Sequence, residues 1–211
     1  MVETIVQTQY DRLAKIYDRR WQSYISKTLT FLYDWSQLSP HDRILDVACG
    51  TGEFARQVRS HHPAQPITGV DLSAAMLEVA REKCPTVDFQ QATVKALPFP
   101  DHQFDVVVSA NAFHYFDPVA LALTEMVRVV RPGGRVIILD WCRDDWFCQL
   151  CDWVLHWLDP AHRRCYTQAE FHLLLQQHPL QIVDHRRVRF GWWGLMVVTG
   201  QTPGNSLLSK C

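Results

Sequence analysis

The stretch Arg43-Ile-Leu-Asp-Val-Ala-Cys-Gly-Thr-Gly52 decides the fold. Its first six residues form a short, mainly apolar run, which predicts a buried strand over 43–48. The glycines at positions 50 and 52 predict a tight turn, and Glu53 favours the N-terminus of a helix because a carboxylate complements the helix dipole there. Strand, glycine turn and helix together predict the first unit of an α/β sheet.

The same alternation continues on the C-terminal side of this unit. Ser73 predicts the N-cap of a helix, Thr167 predicts another, and the stretch Arg131-Pro-Gly-Gly134 predicts the end of a third helix and a reversal into the next strand. The predicted strands are 67–71, 87–91, 104–109, 135–139, 180–189 and 192–199, the last two joined by a tight region at Phe190-Gly191, and the predicted helices are 74–83, 117–130 and 168–177.

The predicted fold class is therefore α/β, a doubly wound and mainly parallel seven-stranded sheet with an antiparallel terminal strand. Before the sheet, apolar residues between Tyr10 and Trp35 recur every three or four positions, which predicts one or two amphipathic helices that end before Pro40. We expect an N-terminal helical cap over 1–40, a ligand-binding domain over 41–203 and a flexible tail over 204–211.

Composition limits the class of function. The chain has 211 residues, 21 Lys plus Arg against 22 Asp plus Glu, and a formal net charge of -1, which disfavours nucleic acid as a partner. Charged residues interrupt positions 1–18, so this segment lacks the continuous apolar region of a signal peptide. No run of 18 uncharged apolar residues occurs, so no membrane-spanning helix is predicted. These features predict a cytoplasmic protein without a stable membrane anchor.

The seven cysteines are interpreted as reduced thiols, because their number is odd and the chain does not resemble a secreted protein. The pair Cys148-x-x-Cys151 has zinc-ligand spacing, with Cys142, His156, His162 and Cys165 nearby. It lies in a Trp-rich, helical stretch with no second close pair, so the prediction is that the chain binds no metal.

The glycine turn and one later carboxylate point to a nucleotide-like ligand. Gly50 and Gly52 would allow a ligand to lie against the backbone of the turn. Asp71 ends the next predicted strand 19 residues after Gly52, where a carboxylate can accept hydrogen bonds from the hydroxyl groups of a ribose. Dinucleotide-binding enzymes share this order of features, so the spacing alone leaves both classes open.

Four motifs in order narrow the choice. They are Ile44-Leu-Asp-Val-Ala-Cys-Gly-Thr-Gly52, Val70-Asp-Leu-Ser73 with Met76-Leu77, Leu97-Pro-Phe-Pro-Asp101 with Phe104-Asp105, and Arg128-Val-Val-Arg-Pro-Gly-Gly134. Together they resemble the class I S-adenosylmethionine-dependent methyltransferases, in the small-molecule branch of the ubiquinone and menaquinone methyltransferases. The resemblance covers about residues 10–140 and implies a Rossmann-like methyltransferase fold with S-adenosyl-L-methionine as cofactor.

The resemblance also implies positions for the cofactor-binding residues. Asp46 and the backbone around Gly50 and Gly52 would face the methionine moiety, and Asp71 the ribose. Two positions depart from the family pattern: Ala48 replaces the first glycine, and Thr93 replaces an Asp that accepts a hydrogen bond from the adenine amino group. The remaining implied contacts are Leu72 and Met76 on the adenine face, the Val94 amide on the adenine ring, and Asn111 and Tyr17 at the methionine end.

His114 is the predicted general base, because it follows the fourth strand at the mouth of the expected site and an unperturbed imidazole titrates near neutral pH. The alternative is that His114 only shapes the pocket. Asp140 and Trp141 after the fifth strand could orient an acceptor, although a structural role for Asp140 in the following turn is favoured. A Trp-rich C-terminal part predicts an apolar or aromatic small-molecule acceptor, with core packing or a homodimer contact as alternatives.

Three functional classes remain open at this point. The favoured class is a methyltransferase that acts by in-line displacement. The same fold could also serve a noncatalytic S-adenosylmethionine-binding protein, which the departures at Ala48 and Thr93 leave open. An NAD-binding oxidoreductase is less favoured, because no Lys, Tyr or Ser constellation for hydride chemistry is recognisable.

Overall fold

A computed structural model describes residues 2–204 of the chain, and the remainder of the predicted tail lies outside the described residues. The strands are β1 (Ile44–Val47), β2 (Ile67–Asp71), β3 (Asp88–Gln91), β4 (Phe104–Ala110), β5 (Val130–Trp141), β6 (Gln181–Phe190) and β7 (Trp193–Gln201). The helices are α1 (Val2–Ser36), α2 (Glu53–His61), α3 (Ala74–Lys83), α4 (Val119–Val129), α5 (Trp146–Leu158) and α6 (Gln168–Gln176).

The strands form one mixed sheet in the order β3-β2-β1-β4-β5-β7-β6, which confirms the predicted fold class. Strands β1 to β5 pair in parallel, whereas β7 is antiparallel to both β5 and β6. The strand order reverses between β1 and β4, and ligands of such sheets bind beyond the carboxyl ends of the strands at this point. The basic run His185-Arg-Arg-Val-Arg189 lies on β6, the exposed edge strand.

Alternating residues of the central strands supply two cores, one on each face of the sheet. Val107 and Ile138 pack with Phe171 of α6 on one face. Val106 and Ile137 pack with the first three helices on the other face. Because both faces of the sheet are covered here, Val106–Val108 of β4 and Val136–Leu139 of β5 are continuous buried apolar runs.

The N-terminal segment differs from the prediction, since α1 is a single helix that begins at Val2 rather than near Tyr10. Polar contacts with the sheet stabilise it at several points. Asp11 Oδ1 accepts a hydrogen bond from Ser73 Oγ at 2.5 Å, and Asp18 Oδ1 accepts one from Thr51 Oγ1 at 2.6 Å. These contacts place the N-terminal half of α1 across the carboxyl ends of β1 and β2, which sequence periodicity could not show.

Two predicted turns are shifted. The chain passes from α4 directly into β5 at Val130, so 131–134 lie within the strand and do not form a separate reversal. Phe104 of β4 pairs with Val130 of β5, and the next pair is Val106 with Arg135. Residues 131–134 of β5 therefore form an irregularity in the strand, and Gly133 has a φ of 73° there. The turn between β6 and β7 lies at Gly191-Trp192, so Trp192 precedes the last strand instead of beginning it.

Within residues 2–204, the structure has no helix with the length and apolar character needed to cross a membrane.

Candidate cofactor and acceptor site

A cavity lies at the carboxyl ends of β1, β2 and β4, beneath the N-terminal half of α1. It brings together most of the predicted cofactor-binding residues, although they are far apart in sequence. The predicted residues that line it are Tyr17, Ala48, Gly50, Asp71, Leu72, Met76, Thr93, Val94 and Asn111. The predicted residue Asp46 lines an adjoining cavity that shares Tyr17, Ala48, Gly50 and Asn111 with the first.

Asp71 ends β2 with its carboxylate held by backbone amides. Gly50 N donates to Asp71 Oδ2 at 2.8 Å, and Ser73 N donates to Asp71 Oδ1 at 2.9 Å. Burial raises the pKa of the Asp71 carboxyl, an effect that these hydrogen bonds oppose. A carboxylate oxygen can accept more than one hydrogen bond, so Asp71 retains acceptor capacity toward the cavity.

The two glycines of the turn have different roles. A Cβ on Gly50 would meet no protein atom within 4 Å, and Gly50 borders the cavity, so its space is open to a ligand. A Cβ on Gly52 would lie 2.9 Å from Ala80 Cβ and 3.0 Å from Phe89 Cζ. The missing side chain of Gly52 therefore allows the turn to pack against α3 and β3. That the Gly52 backbone faces the ligand stays a prediction. Ala48, at the family's glycine position, adopts a left-handed φ of 58°.

Asp46 is a buried carboxyl group without a cationic partner among the described residues. Its side chain is 3% exposed, and Oδ2 has no hydrogen-bond partner there. Burial, together with repulsion from Asp71, raises the pKa of Asp46 to about 8. Such a group would gain from a positively charged ligand, because a nearby cation stabilises the ionised form.

The end of the cavity next to Thr93 and Val94 contains a carboxylate that the sequence analysis missed. Thr93 Oγ1 hydrogen-bonds to Glu3 Oε1, and Lys95 Nζ lies 3.1 Å from the other Glu3 oxygen. Glu3 lines the same cavity as Thr93 and Val94. The Val94 amide donates to none of the described residues. No sequence signal indicates Glu3, since it reaches this position only because α1 crosses the sheet.

Asn111 lies where the cofactor cavity meets a second cavity. It follows β4 in a left-handed conformation, with φ of 56°, and Oδ1 accepts a hydrogen bond from Tyr24 Oη at 2.6 Å. Tyr24 Oη in turn accepts from Trp141 Nε1 at 2.7 Å. Tyr17 and Asn111 border both cavities, so these side chains form the boundary between them.

The second cavity has a volume of about 500 Å³ and is walled by aromatic and aliphatic side chains. Trp141 stacks on Trp193 with 4.6 Å between ring centroids, and His114 stacks on the Trp141 ring at 4.9 Å. Apolar residues of α1 and α5 complete the wall: Leu13, Trp21, Leu150, Val154 and Leu155.

His114 and Asp140 form a buried pair at this cavity. His114 Nδ1 lies 2.7 Å from Asp140 Oδ1, and the His114 backbone N donates to Asp140 Oδ2 at 2.8 Å. A carboxylate on Nδ1 fixes the tautomer in which Nδ1 carries the proton and Nε2 is free to accept one. Asp140 Oδ1 also accepts from Trp141 N at 2.7 Å, so the favoured structural contact to the following turn exists together with the contact to His114.

The cysteines and histidines of the C-terminal part do not gather around the Cys148-x-x-Cys151 pair. Cys148 donates its Sγ–H to Gly194 O inside the core. Asp152, His162 and Cys165 place potential ligand atoms within 4.8 Å of one another. Asp152 Oδ1 already accepts from His162 Nε2 at 2.7 Å and from Cys165 N at 2.6 Å, so the group joins α5 to the following segment by hydrogen bonds. The six cysteines that the structure describes are free thiols.

Comparisons with known proteins find similarity to methyltransferases. Residues 45–138 match the protein family described as "Methyltransferase domain". A demethylmenaquinone methyltransferase of Thermus thermophilus is 41% identical over 102 residues, which cover 46% of this chain and 46% of that protein. The ubiquinone/menaquinone biosynthesis C-methyltransferase UbiE of Geotalea daltonii is 33% identical over 151 residues, 66% of this chain and 61% of that protein. The chain thus spans less than two thirds of the length of either relative.

The fold has solved counterparts as well. A Thermotoga maritima structure, described as an SAM-dependent methyltransferase and possible histamine N-methyltransferase, has a TM-score of 0.74 at 20% identity, covering 92% of this chain and 98% of that one. These comparisons confirm the resemblance to the class I methyltransferases and support the predicted enzyme class. The methyltransferase domain implies S-adenosylmethionine as the methyl donor.

The described residues fit this cofactor. Open space beside Gly50 admits a ligand against the backbone, and Asp71 offers carboxylate oxygens suited to ribose hydroxyl groups. The unpartnered Asp46 oxygen suits a cofactor that carries an ammonium group and a sulfonium centre.

Proposed function

We propose that this protein transfers the methyl group of S-adenosylmethionine to a small aromatic acceptor of the quinol type. The observation that carries the proposal is the pair of cavities that meet at Tyr17 and Asn111, one with a nucleoside-type lining and one with an aromatic wall. The relatives named demethylmenaquinone and ubiquinone/menaquinone methyltransferases support the quinol class. The aromatic side chains that line the second cavity suit a planar, apolar acceptor.

In this proposal, the first cavity holds the cofactor. Asp71 binds the ribose hydroxyl groups, Leu72 and Met76 contact the adenine face, and the Val94 amide donates to the ring. Glu3 serves as the carboxylate that accepts from the adenine amino group, which compensates for Thr93. Asp46 faces the positive methionine end. Bound S-adenosylmethionine would supply an activated methyl group, because the sulfonium sulfur becomes a neutral thioether when the methyl group is transferred to a nucleophile.

The second cavity aligns the acceptor and removes its proton. The acceptor hydroxyl would lie against His114 Nε2, which takes the proton while Asp140 stabilises the imidazolium that forms. The acceptor oxygen or carbon would form the new bond to the methyl carbon, while the electron pair of the breaking carbon–sulfur bond would go to sulfur. With a carbon acceptor, the ring C–H proton would then be lost and His114 would return the first proton to the oxygen, which restores the aromatic ring. Alignment of the reacting atoms in this cavity would supply much of the rate enhancement.

Calorimetric titration with S-adenosylmethionine, S-adenosylhomocysteine and NAD tests the cofactor assignment. We expect binding of the first two ligands and none of NAD, with Asp71→Asn weakening binding about tenfold because a ribose contact is lost. Asp88→Asn, an exposed carboxylate on β3, serves as the matched control. Binding of NAD in preference to the other ligands would contradict the proposal.

Acceptor class is tested on the cofactor-loaded protein. Reduced naphthoquinones, simple phenols and fatty acids are added while the tryptophan fluorescence is recorded, and turnover is followed by transfer of a labelled methyl group. We expect quenching and turnover with the quinol. If none of the three classes alters the fluorescence or accepts the label, an apolar or aromatic acceptor is excluded.

A further inference from the structure

Helix α5 exposes an apolar face that the fold leaves uncovered. Trp146, Leu150, Trp153 and Trp157 follow one another at steps of four, three and four residues, which places them on one side of the helix. The side chains of Trp153 and Trp157 are 66% and 75% exposed. We call these four residues the α5 face. Soluble monomers seldom expose a continuous apolar patch of this kind without a binding partner.

The opposite side of α5 explains why the helix presents this face outward. Cys148 is fully buried against β7, and the Asp152 carboxylate is paired with His162. Asp152 is the only carboxylate or fixed cation among residues 146–158, so the α5 face contains no charge. Trp192, in the turn before β7, extends the patch, with its ring centroid 6.4 Å from that of Trp146.

Cations border the α5 face on the α1 side. Arg20 and Leu150 line the same cavity, as does Asp159, whose carboxylate accepts hydrogen bonds from Gln9 and Ala161. Arg12 and Pro160 line one surface pocket just beyond the C-terminal end of α5. Both arginines are exposed, and neither forms an ion pair with any acidic group of residues 2–204. A tryptophan-rich apolar face with basic residues at its border is typical of segments that lie in the interfacial region of a bilayer.

We propose that the α5 face, together with Arg12 and Arg20, docks on the surface of a lipid bilayer that contains anionic headgroups. The tryptophan rings enter the headgroup region, where their apolar body and polar N–H are both accommodated. The arginines add attraction to anionic lipids that weakens with salt. This is a peripheral contact, compatible with the expectation that the chain has no stable membrane anchor.

Docking would place the acceptor cavity at the membrane surface. Leu150, Cys151, Val154 and Leu155 of the same helix line that cavity. An apolar acceptor dissolved in the bilayer could enter beside α5 without crossing water. This consequence rests on the proposed function, whereas the docking itself does not.

The test is co-sedimentation with vesicles in the absence of cofactor and acceptor. The full chain is mixed with vesicles of phosphatidylcholine alone and with vesicles that contain about one third phosphatidylglycerol. We expect binding to the anionic vesicles and a blue shift of the tryptophan emission. The double substitution Trp153→Glu and Trp157→Glu should lower the partition coefficient about tenfold or more, because it removes apolar area and adds repulsion.

Matched variants separate the α5 face from general surface effects. Leu173→Glu changes an apolar residue of α6 that is 61% exposed, and it should leave vesicle binding unchanged. Arg12→Gln should weaken binding about fivefold, and only to anionic vesicles at low salt. Each variant is checked by calorimetric titration with S-adenosylmethionine, whose affinity should remain that of the unsubstituted chain.

Three outcomes would overturn the proposal: no binding to either kind of vesicle, an equal loss with Leu173→Glu, or full binding by the double Trp variant. If light scattering shows a dimer that the Trp substitutions convert to a monomer, and vesicles are not bound, the α5 face is a subunit contact instead. Failure of methyl transfer with vesicle binding intact would count against the proposed function alone. Failure of the unsubstituted chain to bind vesicles, with its S-adenosylmethionine binding and turnover intact, would count against the docking alone.

Discussion

Glu3 and Thr93 share a hydrogen bond at the end of the first cavity where we propose that adenine binds. If Glu3 accepts from the adenine amino group, Glu3→Gln should weaken S-adenosylmethionine binding about fivefold to tenfold, because one oxygen of the charged acceptor is replaced by a donor. Adding Thr93→Asp to this variant should restore affinity by returning a carboxylate to the family position. Titration calorimetry measures both effects, with the exposed Glu82→Gln as control. If Glu3→Gln leaves the affinity for S-adenosylmethionine unchanged, Glu3 does not accept a hydrogen bond from the adenine amino group.

The His114–Asp140 pair carries the second residue-scale prediction. His114→Ala should lower kcat about a hundredfold or more while cofactor affinity is retained, because proton removal from the acceptor is lost. Asp140→Asn should also lower kcat, since the carboxylate that orients His114 and stabilises the imidazolium is lost. Turnover is compared with that of His185→Ala, an exposed histidine on β6.

A different change in the kinetic constants of His114→Ala would indicate that His114 only packs in the cavity wall. If His114→Ala raised KM for the acceptor without changing kcat, the ring would shape the cavity rather than accept a proton. The stack of His114 on Trp141 makes this outcome measurable, because loss of the ring would also change the tryptophan emission.

At the scale of elements, the contact between α5 and β7 depends on a residue without a side chain. A Cβ on Gly194 would overlap the Cβ of Asp145, which caps α5 by accepting from Phe147 N. Gly194→Ala should therefore lower the free energy of unfolding by about 1–3 kcal/mol, because the helix must shift away from the sheet. Chemical denaturation measures the change. Gly204→Ala, where a Cβ meets open space, should be nearly neutral.

At the scale of the whole molecule, the buried carboxyl of Asp46 predicts how stability depends on pH. Its pKa is raised from an ordinary value of 3.8 to about 8, so the folded state binds the proton more tightly than the unfolded chain. The contribution of Asp46 is full below pH 3.8 and is lost as the pH rises toward 8. Without cofactor, the free energy of unfolding should fall more steeply across this window in the unsubstituted protein than in Asp46→Asn. Parallel curves for the two proteins would contradict the raised pKa.

Local signals of the sequence determined much of the architecture. Strand β2 and helix α3 have the predicted bounds, and Ser73 caps α3 by accepting from Met76 N, because apolar runs and caps act over a few residues. The predicted cofactor residues Asp71, Gly50 and Met76 share a cavity because parallel strands end at one edge of a sheet. The motif order also indicated the methyltransferase class.

Tertiary structure alone decided the remainder. Glu3 and Tyr24 face the two cavities only because α1 lies across the sheet, and Gly52 packs on Ala80 because α3 returns against the turn. His114 and Asp140 are 26 residues apart and meet because β4 and β5 are neighbours. The tryptophans of the cavity wall lie on α1, β5 and β7, whereas those of α5 are exposed because the opposite side of that helix meets β7. Such contacts depend on how whole elements pack, and no short-range pattern in the sequence encodes that packing.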